Sequence, residues 1–360
     1  MNAIQHHTHM SLALRLARQG CFTVSPNPMV GCVIVKNNQV IGSGYHQRAG
    51  EAHAEIFALK EAGKEADGAS AYITLEPCCH QGKTPPCTTA LISAGIKKVY
   101  VSGLDPNPLI NGKGIATLRS AGIQVEMGWC EAEAEKLNEI FFYYIKNKRP
   151  FVIAKWAMSL DGKTKVNSAD NKQISCSKSQ HHTHHLRQQV DAILVGAHTA
   201  CQDNPQLTAR LATNNEINKQ PIRIVLSGHR PFPADLKLWH EDLPGKTILV
   251  VTKSNQHLFK NISNKSVEQL IIPENESHQI ALPILLDELG KKNITSLLVE
   301  GGMTVHENFM QENLVNSIQV YLSPVIIGSF HQKQPLNILD FSQNGNDFIL
   351  KASFKEGIHV

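Results

Sequence analysis

Two stretches of the sequence decide the fold of its first half: His53-Ala54-Glu55 and Pro77-Cys78-Cys79-His80-Gln81-Gly82-Lys83-Thr84-Pro85-Pro86-Cys87. The first stretch lies at the predicted start of a helix. Zinc deaminases hold their metal through one imidazole and two thiolates, and the fourth position stays open for a water molecule. They also need a carboxylate that is not a ligand, close enough to move protons between that water and the leaving amine. Because the two stretches together contain all of these groups, they indicate a zinc-dependent deaminase.

The spacing of the cysteines departs from the general signature of such enzymes. In that signature the two cysteines are three positions apart, whereas Cys78 and Cys87 are nine apart and Gln81 stands where the second would fall. A purely structural zinc site is therefore an alternative, although such sites usually have four protein ligands and would not need Glu55. Cys79 competes as a ligand, but adjacent cysteines rarely reach the same ion, so we interpret it as a packing residue.

Helical and strand periodicities alternate along the chain on both sides of these motifs. In the first half we predict helices at Met10–Arg18, Ala52–Ala62, Thr88–Ala94 and Ile115–Ala121, strands at Gly31–Val35, Val40–Ser43, Ser70–Leu75, Lys98–Ser102 and Gln124–Met127, and a closing helix at Glu131–Lys148. In the second half we predict strands at Phe151–Ala157, Ala192–Val195, Ile222–Leu226, Thr247–Val251, Leu297–Val299 and Ile318–Leu322. This alternation predicts an α/β fold in both halves.

Length and composition indicate two folded domains. The 360 residues exceed the usual size of one domain. The polar segment Lys146–Pro150 predicts the boundary, with one domain at residues 1–147 and the other at 151–360. No apolar stretch is long enough to cross a bilayer, and no export signal is recognisable at the N-terminus. We therefore expect a cytoplasmic protein that does not bind membranes.

Charge and cysteine content exclude further classes of protein. The net charge is only +4 and the basic residues are scattered, which does not favour nucleic-acid binding. A nucleic-acid deaminase would also need an aromatic-rich surface, and aromatic residues make up only 6% of the chain. Without an export signal, the eight cysteines favour thiols or metal ligands over disulfides. We interpret five of them as buried small hydrophobic residues: Cys21, Cys32, Cys130, Cys176 and Cys201.

A second group of motifs lies in the second half. It consists of Lys155-Trp156-Ala157-Met158-Ser159-Leu160-Asp161-Gly162 and Leu297-Leu298-Val299-Glu300-Gly301-Gly302-Met303-Thr304. An apolar strand that runs into paired glycines and then a helix lets backbone amides approach a phosphate at the helix N-terminus. The pair is not the Gly-x-Gly-x-x-Gly fingerprint, so a Rossmann domain is not predicted. We predict instead a nucleotide-binding α/β domain of another type.

The sequence resembles one family in both halves, the bifunctional riboflavin-biosynthesis deaminase–reductases. The segment Pro77–Cys87 fits the lengthened loop of that family, Pro-Cys-x-His-x-Gly-x-Thr-Pro-Pro-Cys, throughout. Other matching segments are Pro26–Gly31, Gly44–His46, Gly50–Glu55 and Asp105–Pro108 in the first half, and Val195–Thr199, Asp203–Arg210 and Pro221–Leu226 in the second. The resemblance implies an N-terminal cytidine-deaminase-like three-layer sandwich and a C-terminal dihydrofolate-reductase-like domain.

The resemblance also implies the roles of individual residues. In the first half, His53, Cys78 and Cys87 would bind Zn2+ and Glu55 would transfer protons. The residues implied around the substrate are Asn27, His46, His80 and Lys83. In the second half, the residues implied in NADPH binding are Met158, Thr199, Asp203, Ser227, Gly301, Gly302, Met303 and Thr304. Those implied on the substrate side are Arg187, Leu207, Arg210 and Glu300, and we expect Lys155 and Glu300 to assist the reduction.

The function implied is sequential chemistry on one pyrimidine ribonucleotide. The first half would deaminate a diaminopyrimidinone that carries phosphoribosylamine, and the second would use NADPH to reduce its ribosyl group to ribityl. We expect a homo-oligomer with a small-molecule substrate and no nucleic-acid or membrane partner. The alternative is a zinc nucleotide deaminase whose C-terminal half is a degenerate, non-catalytic binding domain.

Two features fall outside these motifs. The segment Asn167–Ser175 is polar, and Gln173 stands where family members often carry a tryptophan. Cofactor contacts from this loop are therefore not predicted. Histidines crowd one predicted helix and the N-terminus, and we interpret both groups as solvated surface rather than metal sites: His181, His182, His184 and His185, and His6, His7 and His9.

Overall fold

The computed structural model describes residues 2–80, 85–164, 174–210, 219–262, 266–328, 334–344 and 347–354. The chain forms two compact units. The first contains Met1–Phe151, Gln189–Asp191 and Leu282–Ser296, and the second contains Val152–Gln188, Ala192–Ala281 and Leu297–Val360. No helix in the described part of the chain has the length and apolar character needed to span a bilayer.

Helices and strands alternate along most of the chain. The helices are α1 (Ala3–Ala17), α2 (Ala54–Ala62), α3 (Cys87–Ser93), α4 (Lys113–Ser120), α5 (Glu131–Leu137), α6 (Glu139–Asn147), α7 (Ser177–Gln189), α8 (Ala197–Asp203), α9 (Leu282–Lys291) and α10 (Met303–Gln311). The strands are β1 (Gly31–Lys36), β2 (Gln39–Tyr45), β3 (Ser70–Ile73), β4 (Lys98–Val101), β5 (Gln124–Met127), β6 (Phe151–Ser159), β7 (Ala192–Gly196), β8 (Ile222–Leu226), β9 (Thr247–Val251), β10 (Val267–Ile271), β11 (Ser296–Gly301), β12 (Ser317–Ser323), β13 (Val325–Ile326), β14 (Gln334–Asn344) and β15 (Asp347–Phe354). The predicted α/β class is confirmed.

The first unit is built on a five-stranded sheet in the order β2-β1-β3-β4-β5. Strand β1 is antiparallel to both of its neighbours, whereas β3, β4 and β5 are parallel. Side chains alternate across β1, so Val33 and Val35 pack with Met10 of α1 while Cys32 and Ile34 pack with Ala58 of α2. Because both faces are covered, this unit is a three-layer sandwich, as predicted.

Glycine allows the helix that carries the zinc-site residues to lie close to the sheet. A Cβ atom on Gly44 would lie 2.6 Å from the backbone oxygen of Ala54, and one on Gly42 would lie 2.2 Å from that of Ala58. Since Cβ atoms do not approach backbone that closely, larger residues in β2 would push α2 away. The glycines therefore set the depth at which the start of α2 enters the site.

Two helices of the first unit differ from the prediction. Helix α1 begins at Ala3 rather than Met10, because Asn2 and Gln5 form a reciprocal capping box. The predicted closing helix is divided into α5 and α6 at Asn138, whose backbone leaves helical geometry (φ −108°, ψ 21°). The side chain of Asn138 is buried and binds another segment instead.

The prediction that the N-terminal histidines are solvated is wrong for two of the three. His9 is buried, and the Nδ1 atom of His6 lies 2.8 Å from the Tyr72 hydroxyl. The ring of His6 also lies 4.5 Å from that of Tyr100, centroid to centroid. The earlier start of α1 explains the error, because it places these residues on a helix face that packs on the sheet. His7 is exposed, as predicted.

Segments from late in the chain complete the first unit. The Tyr144 hydroxyl donates to the backbone oxygen of Gly290 at the end of α9, at 3.0 Å. The buried carboxylate of Asp191 accepts hydrogen bonds from the hydroxyls of Ser25 (2.9 Å) and Thr295 (2.7 Å). These contacts explain why Leu282–Ser296 groups with the first unit.

The second unit is built on a seven-stranded sheet in the order β10-β9-β8-β7-β11-β6-β12. Parallel pairs join β10 to β9, β9 to β8, β8 to β7, β7 to β11, and β6 to β12. Strands β7 and β9 are buried throughout, as expected for a parallel sheet covered on both faces. The six strands predicted here are present, while β10 and the small antiparallel sheet β13-β14-β15 were not predicted.

Candidate active sites

The first candidate site lies where the starts of two helices meet. His53 is the N-cap of α2, Glu55 is in the first turn of that helix, and Cys87 is the first residue of α3. One ligand atom from each of His53, Cys78 and Cys87 lies within 4.8 Å of the other two. The Nδ1 atom of His53 is 3.2 Å from the Cys87 sulfur and 3.5 Å from the Cys78 sulfur. One imidazole and two thiols therefore converge although Cys78 and Cys87 are nine residues apart.

The electrostatics of this group favour a deprotonated Cys78 beside the imidazole of His53. The hydrogen bond between the two thiols lowers the pKa of Cys78 and raises that of Cys87. The backbone N–H of Cys87 also donates to the Cys78 sulfur, at 3.3 Å. A hydrogen bond with Cys78 raises the pKa of His53. Since thiolates are the form that binds metal, this donor set fits Zn2+.

Glu55 lies beside these groups and, unlike most carboxylates, is buried. It is 3% exposed, and its Oε2 atom has no hydrogen-bond partner among the described residues. Burial raises the pKa of this carboxyl group. A buried carboxylate oxygen that the protein itself does not satisfy suits a proton carrier whose partner is a water or a substrate.

Two of the residues predicted on the substrate side form a connected pair. The Nδ1 atom of His46 lies 3.1 Å from the backbone oxygen of Ala52, and its Nε2 atom lies 3.0 Å from the Asn27 amide nitrogen. A neutral His46 with its proton on Nδ1 satisfies both contacts, and burial lowers the pKa of this imidazole. The ring of His46 lies 5.3 Å from that of His53. The pair therefore adjoins the predicted metal ligands.

The remaining residues of the predicted loop are less informative. His80 is exposed, and Lys83 lies outside the described residues. Cys79 is half-buried.

The interpretation of the other five cysteines as buried is right for Cys32 only. Cys176, which directly precedes α7, is exposed, and three are half-buried: Cys21, Cys130 and Cys201.

Two side chains important for this site were missed in the sequence. The amide oxygen of Asn138 accepts from the backbone N–H of Met29 at 2.8 Å, and its nitrogen donates to the Met29 carbonyl at 2.9 Å. This clamp holds the segment that carries Asn27. The buried carboxylate of Glu76 accepts from three backbone N–H groups between positions 105 and 115. Neither role has a local signal, because both partners lie far away in the chain.

The second candidate site is centred on a buried carboxylate in the second unit. Glu300 stands near the end of β11, and both of its oxygens accept hydrogen bonds from Arg187 of α7, each at 2.8 Å. The Nζ atom of Lys155 on β6 lies 3.8 Å from the same carboxylate. All three side chains are largely buried. The structure thus brings together three residues that the resemblance implied separately.

The charges in this group hold Glu300 ionised. Burial alone would raise the pKa of Glu300, but Arg187 and Lys155 outweigh it and lower the value to about 2. Lys155 also lies over the ring of Tyr321, 5.4 Å from its centroid. A carboxylate held by two cations in a buried position can orient an ammonium group toward a substrate.

The interpretation of the α7 histidines as a solvated face is wrong for His184. The Nδ1 atom of His184 lies 3.2 Å from both the Thr208 carbonyl oxygen and the Arg210 backbone nitrogen. Burial is the largest cause that lowers the pKa of His184, to about 4. His182 is exposed, as predicted, and its Nδ1 atom lies 2.7 Å from the Tyr321 hydroxyl. His184 therefore supports the segment that also carries the predicted substrate residues Leu207, which is buried, and Arg210, which is exposed.

The residues predicted to bind NADPH gather at the ends of β7 and β11. Thr199 of α8 lies against the glycine pair, and a Cβ atom on Gly301 would come within 2.8 Å of the Thr199 methyl group. Gly302 adopts a φ of 80° and caps α10, whose first residues, Met303 and Thr304, are exposed. This exposed helix start, reached without intervening side chains, fits a phosphate-bearing cofactor.

Three further residues of that set lie around this edge. Asp203 is exposed at the end of α8, and Met158 is half-buried on β6. Ser227 follows β8, and its hydroxyl accepts from the Asn255 amide at 3.0 Å. In parallel sheets, ligands bind beyond the carboxyl ends of the strands, which is where Thr199, Ser227 and the glycine pair stand. The Asn167–Ser175 loop lies outside the described residues except for its last two.

Comparisons with known proteins match both halves of the chain. The family described as "RibD C-terminal domain" matches residues 150–357, and "Cytidine and deoxycytidylate deaminase zinc-binding region" matches residues 3–103. The chain is 42% identical to the riboflavin biosynthesis protein RibD of Aquifex aeolicus, over 89% of this chain and 87% of that protein.

Two solved structures are similar over nearly their whole length. RibD of Acinetobacter baumannii is 36% identical, with a TM-score of 0.81 over 99% of this chain and all of that one. A deaminase/reductase from Thermotoga maritima, whose description names diaminohydroxyphosphoribosylaminopyrimidine and 5-amino-6-(5-phosphoribosylamino)uracil, is 32% identical. Its TM-score is 0.78, over 98% of this chain and 99% of that one.

Proposed function

Because this chain belongs to the RibD family of bifunctional riboflavin-biosynthesis enzymes, we propose that residues 1–147 carry out the deamination and residues 151–360 the reduction. The chain is a zinc-dependent deaminase and an NADPH-dependent reductase, with a cytidine-deaminase-like sandwich and a dihydrofolate-reductase-like domain. It deaminates 2,5-diamino-6-(5-phosphoribosylamino)pyrimidin-4(3H)-one and then reduces the ribosyl group to ribityl. A degenerate C-terminal half is not favoured, because the reductase family matches it from residue 150 to 357.

His53, Cys78 and Cys87 hold the zinc ion in this proposal. The observation that carries it is the convergence of one imidazole nitrogen and two sulfur atoms within 4.8 Å, next to a buried carboxylate. When bound, zinc would lower the pKa of a coordinated water to about 7 and so make that water a nucleophile at neutral pH. Glu55 takes up the proton of the attacking water and passes it to the departing amine. The paired side chains of Asn27 and His46 orient the pyrimidine, and His80 and Lys83 complete the substrate side.

Lys155, Glu300 and Arg187 act on the ribose in this proposal. Bound NADPH supplies a hydride, and the reduction also needs one proton. Lys155 is the acid that delivers this proton, because it is the ammonium group held in place by Glu300 at 3.8 Å. Arg187 keeps Glu300 ionised through both arms of its fork and adds positive charge to the substrate side, while the charge and fork geometry of Arg210 suit the substrate phosphate. Leu207 contributes an apolar contact to the substrate.

The cofactor in this proposal lies along the edge formed by the ends of β7, β8 and β11. Gly301 and Gly302 leave room for the phosphates at the start of α10, where Met303 and Thr304 are exposed. The other contacts come from Met158, Thr199, Asp203 and Ser227.

Mass spectrometry of the zinc-loaded enzyme with the diaminopyrimidinone ribonucleotide tests the proposal. Without NADPH we expect exchange of one amine for a carbonyl oxygen, and with NADPH the same exchange plus the gain of one hydride and one proton. Deamination without reduction would remove the proposed roles of Lys155 and Glu300. No change in either reaction would remove the proposed roles in both units.

The enzyme forms a homo-oligomer in this proposal, and the edge strand β12 supports it. Ile318, Val320 and Leu322 alternate along that strand and are 56, 37 and 46% exposed. A row of apolar side chains on an edge strand is a site for association with a second copy. Sedimentation of the wild type and of Ile318→Lys tests this: we expect an oligomer that dissociates in the variant, and a monomeric wild type would contradict the proposal.

The cytoplasm is the proposed location. Zinc ligation needs Cys78 and Cys87 as free thiols, and reducing compartments maintain them in that state. Fractionation that places the enzyme outside the cytoplasm would contradict this part.

A further inference from the structure

A second group of metal-ligating side chains lies in the first unit, on the opposite face of its sheet from α2 and α3. It consists of His7 on α1, Cys130 at the N-cap of α5 and Glu133 in the first turn of α5. One ligand atom from each residue lies within 4.8 Å of the other two. Among the described residues, this is the one such group besides the predicted zinc ligands.

Two neighbouring pairs of side chains create the group. On α1, His7 and Ser11 are four residues apart and share a face, and the Ser11 hydroxyl lies 3.3 Å from the His7 Nδ1 atom. At the start of α5, Cys130 is the N-cap residue and Glu133 lies in the first turn, and their ligand atoms lie within 4.8 Å of each other. Cys130 is half-buried against the cluster that contains Met10, which brings α5 next to α1. The two pairs therefore meet although they are more than a hundred residues apart in the chain.

The backbone at Cys130 supports this arrangement. Cys130 adopts a left-handed conformation (φ 54°, ψ 40°) and makes no side-chain capping bond to α5. A non-glycine residue in this region costs about 1–2 kcal/mol. The turn therefore holds Cys130 in an unfavourable backbone conformation, and this conformation places a thiol, rather than a capping oxygen, at the junction of the two helices.

The donor set selects the class of ion. One imidazole, one thiolate and one carboxylate match Zn2+, and a soft thiolate ligand does not suit Mg2+ or Ca2+, which take oxygen ligands. Three protein ligands leave further positions for water, as in an open zinc site. We infer that His7, Cys130 and Glu133 form a second binding site for Zn2+, separate from the catalytic one, that links α1 to the start of α5.

Cobalt provides the test, because Co2+ replaces Zn2+ and its absorption reports thiolate ligands. The metal-free full-length protein is titrated with Co2+, and bound metal is counted after desalting. We expect two equivalents in the wild type. Cys130→Ser and His7→Ala should each bind one equivalent, and Cys130→Ser should lose about a third of the thiolate-to-cobalt absorption, since one of three coordinating sulfurs is removed.

Two controls separate this inference from the proposed deaminase site. Cys176→Ser removes an exposed thiol outside both groups and should still bind two equivalents. Cys87→Ser should bind one equivalent and lose deamination, whereas His7→Ala should keep deamination at the wild-type rate. The exposed position of His7 makes that variant safe for folding.

Three results would overturn the inference. The first is a wild type that binds a single equivalent. The second is a Cys130→Ser protein that binds as much metal and absorbs as strongly as the wild type. The third is loss of the second equivalent in His7→Ala but not in Cys130→Ser, which would assign it to histidines of α1 alone.

Discussion

Replacing Asn138 with alanine should destabilise the first unit and impair deamination while leaving zinc binding intact. The Asn138 amide makes two hydrogen bonds to the backbone of Met29, at 2.8 and 2.9 Å, and Asn138 is only 2% exposed. Alanine would remove both bonds and leave the N–H and C=O groups of Met29 without these partners. An orphaned polar group costs about 1–3 kcal/mol when it is buried. Two such groups are orphaned here, but Met29 is only half-buried, so each costs less than the upper value. We therefore expect a total loss of about 2–4 kcal/mol in the free energy of unfolding.

The effect on catalysis follows from the segment that Met29 holds. Asn27 lies two residues away, and its amide pairs with His46 at 3.0 Å. A misplaced Asn27 would weaken a substrate hydrogen bond worth about 0.5–1.5 kcal/mol. The KM for deamination should therefore rise about two- to tenfold. The zinc content should not change, because none of His53, Cys78 and Cys87 takes part in the hydrogen bonds between Asn138 and Met29.

Urea unfolding and steady-state kinetics together give the answer, with Asn147→Ala as the matched control. Asn147 is exposed on α6, and its side chain bonds only within that helix among the described contacts. A third variant, Asn138→Asp, keeps the acceptor for the Met29 N–H but sets a carboxylate oxygen against the Met29 carbonyl. It should be less stable than the wild type at neutral pH. If Asn138→Ala resembled Asn147→Ala in both stability and KM, the clamp would have no part in holding the substrate segment.

Three other outcomes follow from the two sites. Glu55→Gln should keep its zinc, as measured by elemental analysis, while its deamination rate falls about 10²- to 10⁴-fold, because only proton transfer is removed. Loss of the metal in this variant would instead mean that Glu55 is a zinc ligand. Cys87→Ser should release the catalytic zinc while NADPH oxidation with the deaminated substrate continues, and loss of both activities would mean that the two functions are not independent. The cationic neighbours of Glu300 lower the pKa of its carboxyl group to about 2. The contribution of this carboxylate to stability is therefore fully present at a pH above the ordinary pKa of a glutamate, and it is lost as the pH falls toward 2. Acid titration of unfolding should therefore show a smaller loss of stability in Glu300→Gln than in the wild type.

Local patterns in the sequence determined most of the elements. Strands such as β5, from Gln124 to Met127, were predicted to the residue, because period-two alternation and turn residues operate over a few positions. The zinc-site residue types could be read in the same way, since His53 and Glu55 share one helix start and Cys78 and Cys87 belong to one short sequence motif. The start of α1 was missed because the capping box at Asn2 precedes a polar stretch that shows no clear apolar period.

Only the tertiary structure decided which distant side chains meet. Glu300 joins Arg187 across 113 residues of chain, and Asn138 joins Met29 across 109. The same holds for Cys130, which was interpreted as a buried hydrophobic residue and stands instead beside His7. Periodicity indicates which face of an element is buried but not which element covers it. These pairings depend on how helices and strands pack, and packing is settled by the fit of many side chains at once rather than by any short stretch of sequence.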